Sequence, residues 1–237
     1  MTLIDLKKMT VMLLIIFLGL FSLSLLAHGV DDSTKEFLSN NKGPAIVPFL
    51  YFGAKHMVTG YDHLLFLVGV IFFLYRTKDI LIYVSFFTLG HSLTLLYGVL
   101  NDVQLNAYII DAIIGFSIVY KGFDNLGGFQ RLFKIQSSTF KNQTAVLIFG
   151  LFHGFGLATK LQELKLGEDG LITNLIAFNI GVEIGQFIAL ALILLLISFW
   201  RRSKSYLKFS AITNTLLMSG GFIFIGFQVT GYFVASV

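Results

Sequence analysis

Between Leu171 and Trp200 the chain runs for thirty residues with one ionisable side chain, Glu183. As a helix this stretch is about 45 Å long, more than the roughly 30 Å of a bilayer core. Runs of similar character follow at 61–75, 80–100, 105–121, 144–164 and 211–235. They predict an all-α, polytopic membrane bundle of about six transmembrane helices spread over 46–237. With 56% apolar residues, 13% charged residues and 26 phenylalanines, the composition leaves no polar block able to hold a soluble domain. The absence of cysteine excludes disulfides, thiolate metal sites and thiol nucleophiles.

The N-terminal stretch places Lys7 and Lys8 ahead of VMLLIIFLGLFSLSLLA, an apolar run of signal-peptide length ending at Ala27. Residues 1–27 therefore read as a signal peptide, or as an anchor helix if retained. Residues 28–45 read as a polar tail facing outward. Cleavage before His28 would leave an amino group beside an imidazole, a pair that can hold copper, although a solvated tail is the simpler reading. The segment GPAIVPFLYFGAK is short and interrupted, and is expected to form an outer-face helix leading into the first span at Tyr61.

Charge gives the orientation. The loops expected in the cytoplasm carry Arg76, Lys78, Lys121, Arg131, Lys134, Lys141, Arg201, Arg202, Lys204 and Lys208, whereas the opposite turn NDVQL has no basic residue. By the positive-inside rule the mature N- and C-termini face outward, in a bacterial inner membrane. The net charge of +4 thus reports topology rather than a nucleic-acid partner. No G-x4-G-K-[ST] loop is present, so no nucleotide is expected.

This topology lets polar residues be compared by depth. Asp62 and His63 open the first span, His91 lies in the outer half of the second between Thr88 and Ser92, and Asp111 lies near the start of the third. His153 falls midway along the fourth, and Asn179, Glu183 and Gln186 mark the middle of the fifth. An intramembrane carboxylate costs about 2.5–3.5 kcal/mol, so these groups need cations, protons or one another. Asn179, Glu183 and Gln186, at i, i+4 and i+7, share a helix face expected to point inward. His56 and His63 stand two turns apart, about 10 Å in an unbroken helix. Thr59 and Gly60 permit a break: either the helix bends and both imidazoles coordinate, or His56 captures an ion and His63 receives it.

Imidazoles with carboxylates and no thiolate suit nickel, cobalt, zinc or copper(II). The metal residues so indicated are His56, Asp62, His63, His91, His153 and Glu183, supported by Asp111, Asn179, Gln186, Thr88 and Ser92. The chemistry fits a membrane permease for a divalent transition-metal ion. It also fits a membrane-embedded zinc hydrolase, with Glu183 or Asp62 as general base and Thr88 and Ser92 orienting His91. A haem between His91 and His153 leaves Asp62, His63 and Glu183 unexplained, and a purely structural subunit leaves the carboxylates unexplained.

Four motifs narrow the choice. HMVTGYDH, FFTLGHSLTL, FGLFHGFGLA and FNIGVEIGQ resemble the H-x5-D-H, F-T-x-x-H-S-x-T-L, F-G-L-x-H-G-x-G-x-A and F-N-x-G-V-E-x-G-Q signatures of the HupE/UreJ family of nickel permeases. The resemblance implies nickel as the ion, His56, Asp62 and His63 as its first ligands, and His91, His153 and Glu183 as continuations. It also implies a hydrogenase or urease maturation system as partner. Asp111 and Asp124 stand where that family usually carries glutamate.

Overall fold

The computed structural model describes residues 43–135, 139–163 and 169–235. The signal or anchor segment 1–27 and all but the last three residues of the 28–45 tail lie outside them. Among the described residues the chain forms eight helices and no strand: α1 Ile46–Thr59, α2 Tyr61–Ile71, α3 Thr77–Leu100, α4 Ala107–Asn125, α5 Gly128–Phe133, α6 Thr139–Glu163, α7 Leu171–Arg201 and α8 Ser205–Ala235. Four of these, α3, α6 from Asn142, α7 and α8, are long and apolar enough to cross a membrane. Helix α4 and the broken pair α1–α2 run among them, so six spans remains an approximate count.

The helices associate as three close pairs, and small residues decide which faces meet. A Cβ on Gly181 of α7 would stand 2.0 Å from the Leu50 carbonyl oxygen of α1. One on Gly154 of α6 would stand 2.2 Å from the His91 carbonyl oxygen of α3, and one on Gly221 of α8 would stand 2.9 Å from the Gly115 carbonyl oxygen of α4. In an apolar solvent, van der Waals contact between backbones is a main source of helix association, and only glycine permits it at these distances.

Helix α1 is therefore part of the bundle along α7 rather than the outer-face helix expected from its composition. Gly53, Gly181 and Gly185 allow this contact. Its start is tied to α7 by Asn174, whose side chain accepts from Ala45 N at 2.7 Å and donates to Gly43 O at 3.1 Å. The bundle therefore includes a helix, α1, ahead of the span expected from Tyr61. At its other end Arg201 donates to the carbonyls of Ile71 and Phe72 at 2.6 and 2.8 Å, and the Tyr206 hydroxyl also donates to Phe72 O. These bonds satisfy acceptors that the end of α2 leaves open, and a cation there suits the helix dipole. Lys121, expected to reach outward to solvent, is buried and pairs with Asp124 at 2.6 Å.

Candidate metal centre

The break between α1 and α2 sits at Gly60, whose ψ of 102° takes the chain out of helical geometry for one residue. The bend resolves the alternative left open by the spacing: the His56 and His63 rings lie 4.8 Å apart, centroid to centroid. His63 is the hub, with His153 at 5.1 Å and His91 at 6.0 Å. His56 lies ten residues after the start of α1, and His91 and His153 lie nine and ten residues before the ends of α3 and α6, about 14–15 Å along each axis, so three separate elements deliver imidazoles to one level. Asp62 and His63 thus sit deep in a discontinuous span, not at its mouth.

The cluster is dry. His91, His153 and His63 are 0%, 1% and 3% exposed, and Phe87 lies 4.9 Å from His153 with Phe66 5.6 Å away on the same ring. Its donors are nevertheless unsatisfied: Nε2 of His56, His63 and His153 and both ring nitrogens of His91 are buried without a hydrogen-bond partner among the described residues. Buried polar atoms in that state are costly unless they bind something. Two of the rings have their free nitrogen fixed by the other one. His153 Nδ1 donates to Phe149 O at 2.7 Å, and His63 Nδ1 meets Asp62 Oδ1 at 3.0 Å. A carbonyl or an ionised carboxylate only accepts, so Nδ1 carries the proton and Nε2 keeps its lone pair for a metal.

Two overlapping groups have ligand atoms all within 4.8 Å of one another: His56–His63–His91 and Asp62–His63–His153. Nitrogens bound at about 2.0–2.1 Å in a tetrahedron stand about 3.4 Å apart, so modest side-chain rotation closes either set on one ion. From His63 a narrow, mostly apolar void runs past Met57, Val70, Tyr83, Val146 and Gln186.

The remaining residues expected at the site are placed differently. Asn179 and Gln186 are buried, but Glu183 between them is exposed. The side of α7 that turns inward is set by its contact with α1 through Phe178, Gly181, Val182 and Gly185. Glu183 lies about 200° round the helix from Gly181, so the shared inward face holds for the two amides and not for the carboxylate. Gln186 accepts from Thr88 at 2.5 Å, tying α7 to α3, while Asn179 bonds back to Leu175 O at 3.1 Å. Ser92 is half-buried, and its hydroxyl oxygen is buried without a hydrogen-bond partner among the described residues. Asp111 is engaged by Lys160 at 2.9 Å and by Gln228 at 3.3 Å. Lys160 was not among the residues expected at the site, although its place seven residues after His153, on the same helix face, was a usable signal.

The fold and cluster together define a multi-pass helical membrane protein with His/Asp groups able to bind a metal ion in its interior. The family model described as HupE / UreJ protein matches residues 32–236, nearly the whole chain, and the chain belongs to that family. No curated protein and no solved structure matches it.

Proposed function

We propose that the chain is a permease for a divalent transition-metal ion, with nickel as the first candidate and cobalt as the second, and that His56, Asp62, His63, His91 and His153 form its central binding site. The observation that carries this reading is the convergence of four imidazoles from four helices, each with a buried nitrogen that no other group among the described residues satisfies. Neutral imidazoles replace the water shed by the ion, and Asp62 supplies the one formal negative charge among these ligands. A divalent ion held there keeps a net positive charge, which suits a site that must also release its cargo. Because His63 belongs to both ligand groups, it stays bound while the other ligands exchange, and the ion is never bare. Release follows the void beyond His63 and requires that void to widen or take up water.

The basic loops favour the Ile46 end of the bundle as the outward side of a bacterial inner membrane. Family membership makes a hydrogenase or urease maturation system the expected recipient. A zinc hydrolase would need a substrate groove beside its metal, and the burial of these imidazoles behind Phe66 and Phe87 weighs against it. The test is nickel uptake by cells lacking other nickel importers, comparing wild type with His63→Ala and His153→Ala. Loss of uptake at wild-type protein level supports permeation, and undiminished uptake in both variants refutes it. Purified protein with one permanently held zinc, turning over lipid or peptide, would establish the hydrolase instead.

A further inference from the structure

An ion pair stands between the cluster and the Ile46 end of the bundle. Lys160 Nζ contacts both oxygens of Asp111, at 2.9 and 3.1 Å, and Gln228 Nε2 reaches Asp111 Oδ2 at 3.3 Å. Three helices, α4, α6 and α8, meet here. The carboxylate lies against α6 at Gly156, where an added Cβ would be 3.6 Å from Asp111 Oδ1. Gly156 is three residues, about 4.5 Å, from His153 towards that end, and Lys160 is about 10 Å from it.

The two partners differ in freedom. The Asp111 side chain is 10% exposed and held by a second donor, whereas the Lys160 side chain is 44% exposed and hangs on four methylenes. One member of the pair is fixed and the other can leave. A merely structural clamp has no need of that asymmetry.

We infer that Asp111 is the docking carboxylate for the incoming metal ion, and that the Lys160 ammonium is a built-in substitute cation that the ion must displace on its way to the His63 cluster. This rests on the permease reading above. The exchange also explains a preference by charge. A monovalent ion that takes the place of the ammonium gains no Coulomb energy at Asp111, whereas a divalent ion gains the attraction of a second charge in a low-dielectric setting. Lys160 thereby acts as a positioning and specificity residue without ever binding the metal, and Gln228 keeps the carboxylate in place while its partners change.

The test is the rate of Ni2+ association with the purified full chain in nanodiscs, by stopped-flow, with thermal unfolding measured on the same samples. Lys160→Met removes the competing cation and should speed association about fivefold, in line with the effect of local charge on encounter rates. Lys160→Arg offers Asp111 a bidentate partner and should slow association by a similar factor. Asp111→Asn should be slowest. A clamp predicts a different order, because removing Lys160 leaves a buried carboxylate unpaired and destabilises the fold: binding would then follow stability, with Lys160→Met worst and Lys160→Arg equal to wild type. That order, or equal rates throughout, overturns the inference. If Lys160→Met does not fold, the slowing by Lys160→Arg at unchanged stability decides alone. Failure of the wild-type chain to bind Ni2+ overturns the permease reading and this inference with it, whereas wild-type binding with unaltered rates in the Lys160 variants overturns this inference only.

Discussion

Gly154→Ala should separate two of the four imidazoles without touching either. The added Cβ would lie 2.2 Å from the His91 carbonyl oxygen and 2.2 Å from Thr94 Oγ1, whereas ordinary contact begins at 3.4 Å. One of the obstacles is backbone, so α3 and α6 must part by about 1.2 Å. Overpacking of this kind costs about 1–3 kcal/mol. The Thr94 hydroxyl, which donates to Leu151 O at 2.7 Å across the same interface, would fall back on Gly90 O of its own helix at 3.0 Å. His91 rides on α3 and His153 on α6, so the parting stretches ligand sets that already need slight closure. Ni2+ affinity should fall about 10–100-fold, as when ligand orientation is disturbed at other metal sites. Gly156→Ala is the internal control: its Cβ would meet side-chain atoms of Ile110 and Ile114, at 3.1 and 3.2 Å, which need yield a few tenths of an ångström, and would stand at ordinary contact distance, 3.6 Å, from Asp111 Oδ1. Calorimetric titration of the purified chain with Ni2+, beside thermal unfolding, makes the comparison. Wild-type affinity in Gly154→Ala would refute the claim that the α3–α6 contact sets the spacing of the donors.

Glu183→Gln should leave Ni2+ affinity within about twofold of wild type in the same titration, because an exposed carboxylate outside the ligand groups contributes little to them. A tenfold loss would place that carboxylate in the site. Arg201→Met should lower stability by about 2–3 kcal/mol, since two carbonyls at the end of α2 lose a charged donor. Thermal unfolding reads that change, and metal affinity should persist because the cluster lies more than two turns away along α2.

The apolar runs revealed the helices well, because membrane spans need length and apolarity and little else. The level of His91 and His153 was also legible once the loops fixed the direction of each span, since depth then follows from counting residues, whereas His63, expected at the mouth of a span starting at Tyr61, lies level with them because α1 precedes it in the bundle. What sequence could not supply was rotation and docking. Glu183 falls within 60° of Asn179 and Gln186 on a helical wheel, and only the contact of Gly181 and Gly185 with α1 decides that it turns away. The same contact draws Ile46–Thr59 into the bundle, which its interrupted sequence did not suggest. Lys121 looked like a loop charge although Asp124 stands at i+3 on the same helix, whereas the pairing of Lys160 with Asp111 is revealed only by how α4 packs against α6.

The discontinuity at Gly60 links these features. A continuous helix would hold His56 and His63 about 10 Å apart and leave Asp62 as an unsupported carboxylate in an apolar setting. The break starts a new helix, and Asp62 occupies its first turn, where the dipole favours negative charge. His63, bonded to Asp62, is turned so that its free nitrogen points to the other rings. Of the four imidazoles, His63 and His153 are oriented by an acceptor at Nδ1, whereas neither nitrogen of His91 is bonded among the described residues. On the permease reading, orientation costs rotational freedom before the ion arrives, so the two held rings favour capture, and His91, held by packing alone, is the ring best able to follow the ion as it moves. A site with all four imidazoles locked would bind more tightly and release more slowly, which is the wrong balance for a path.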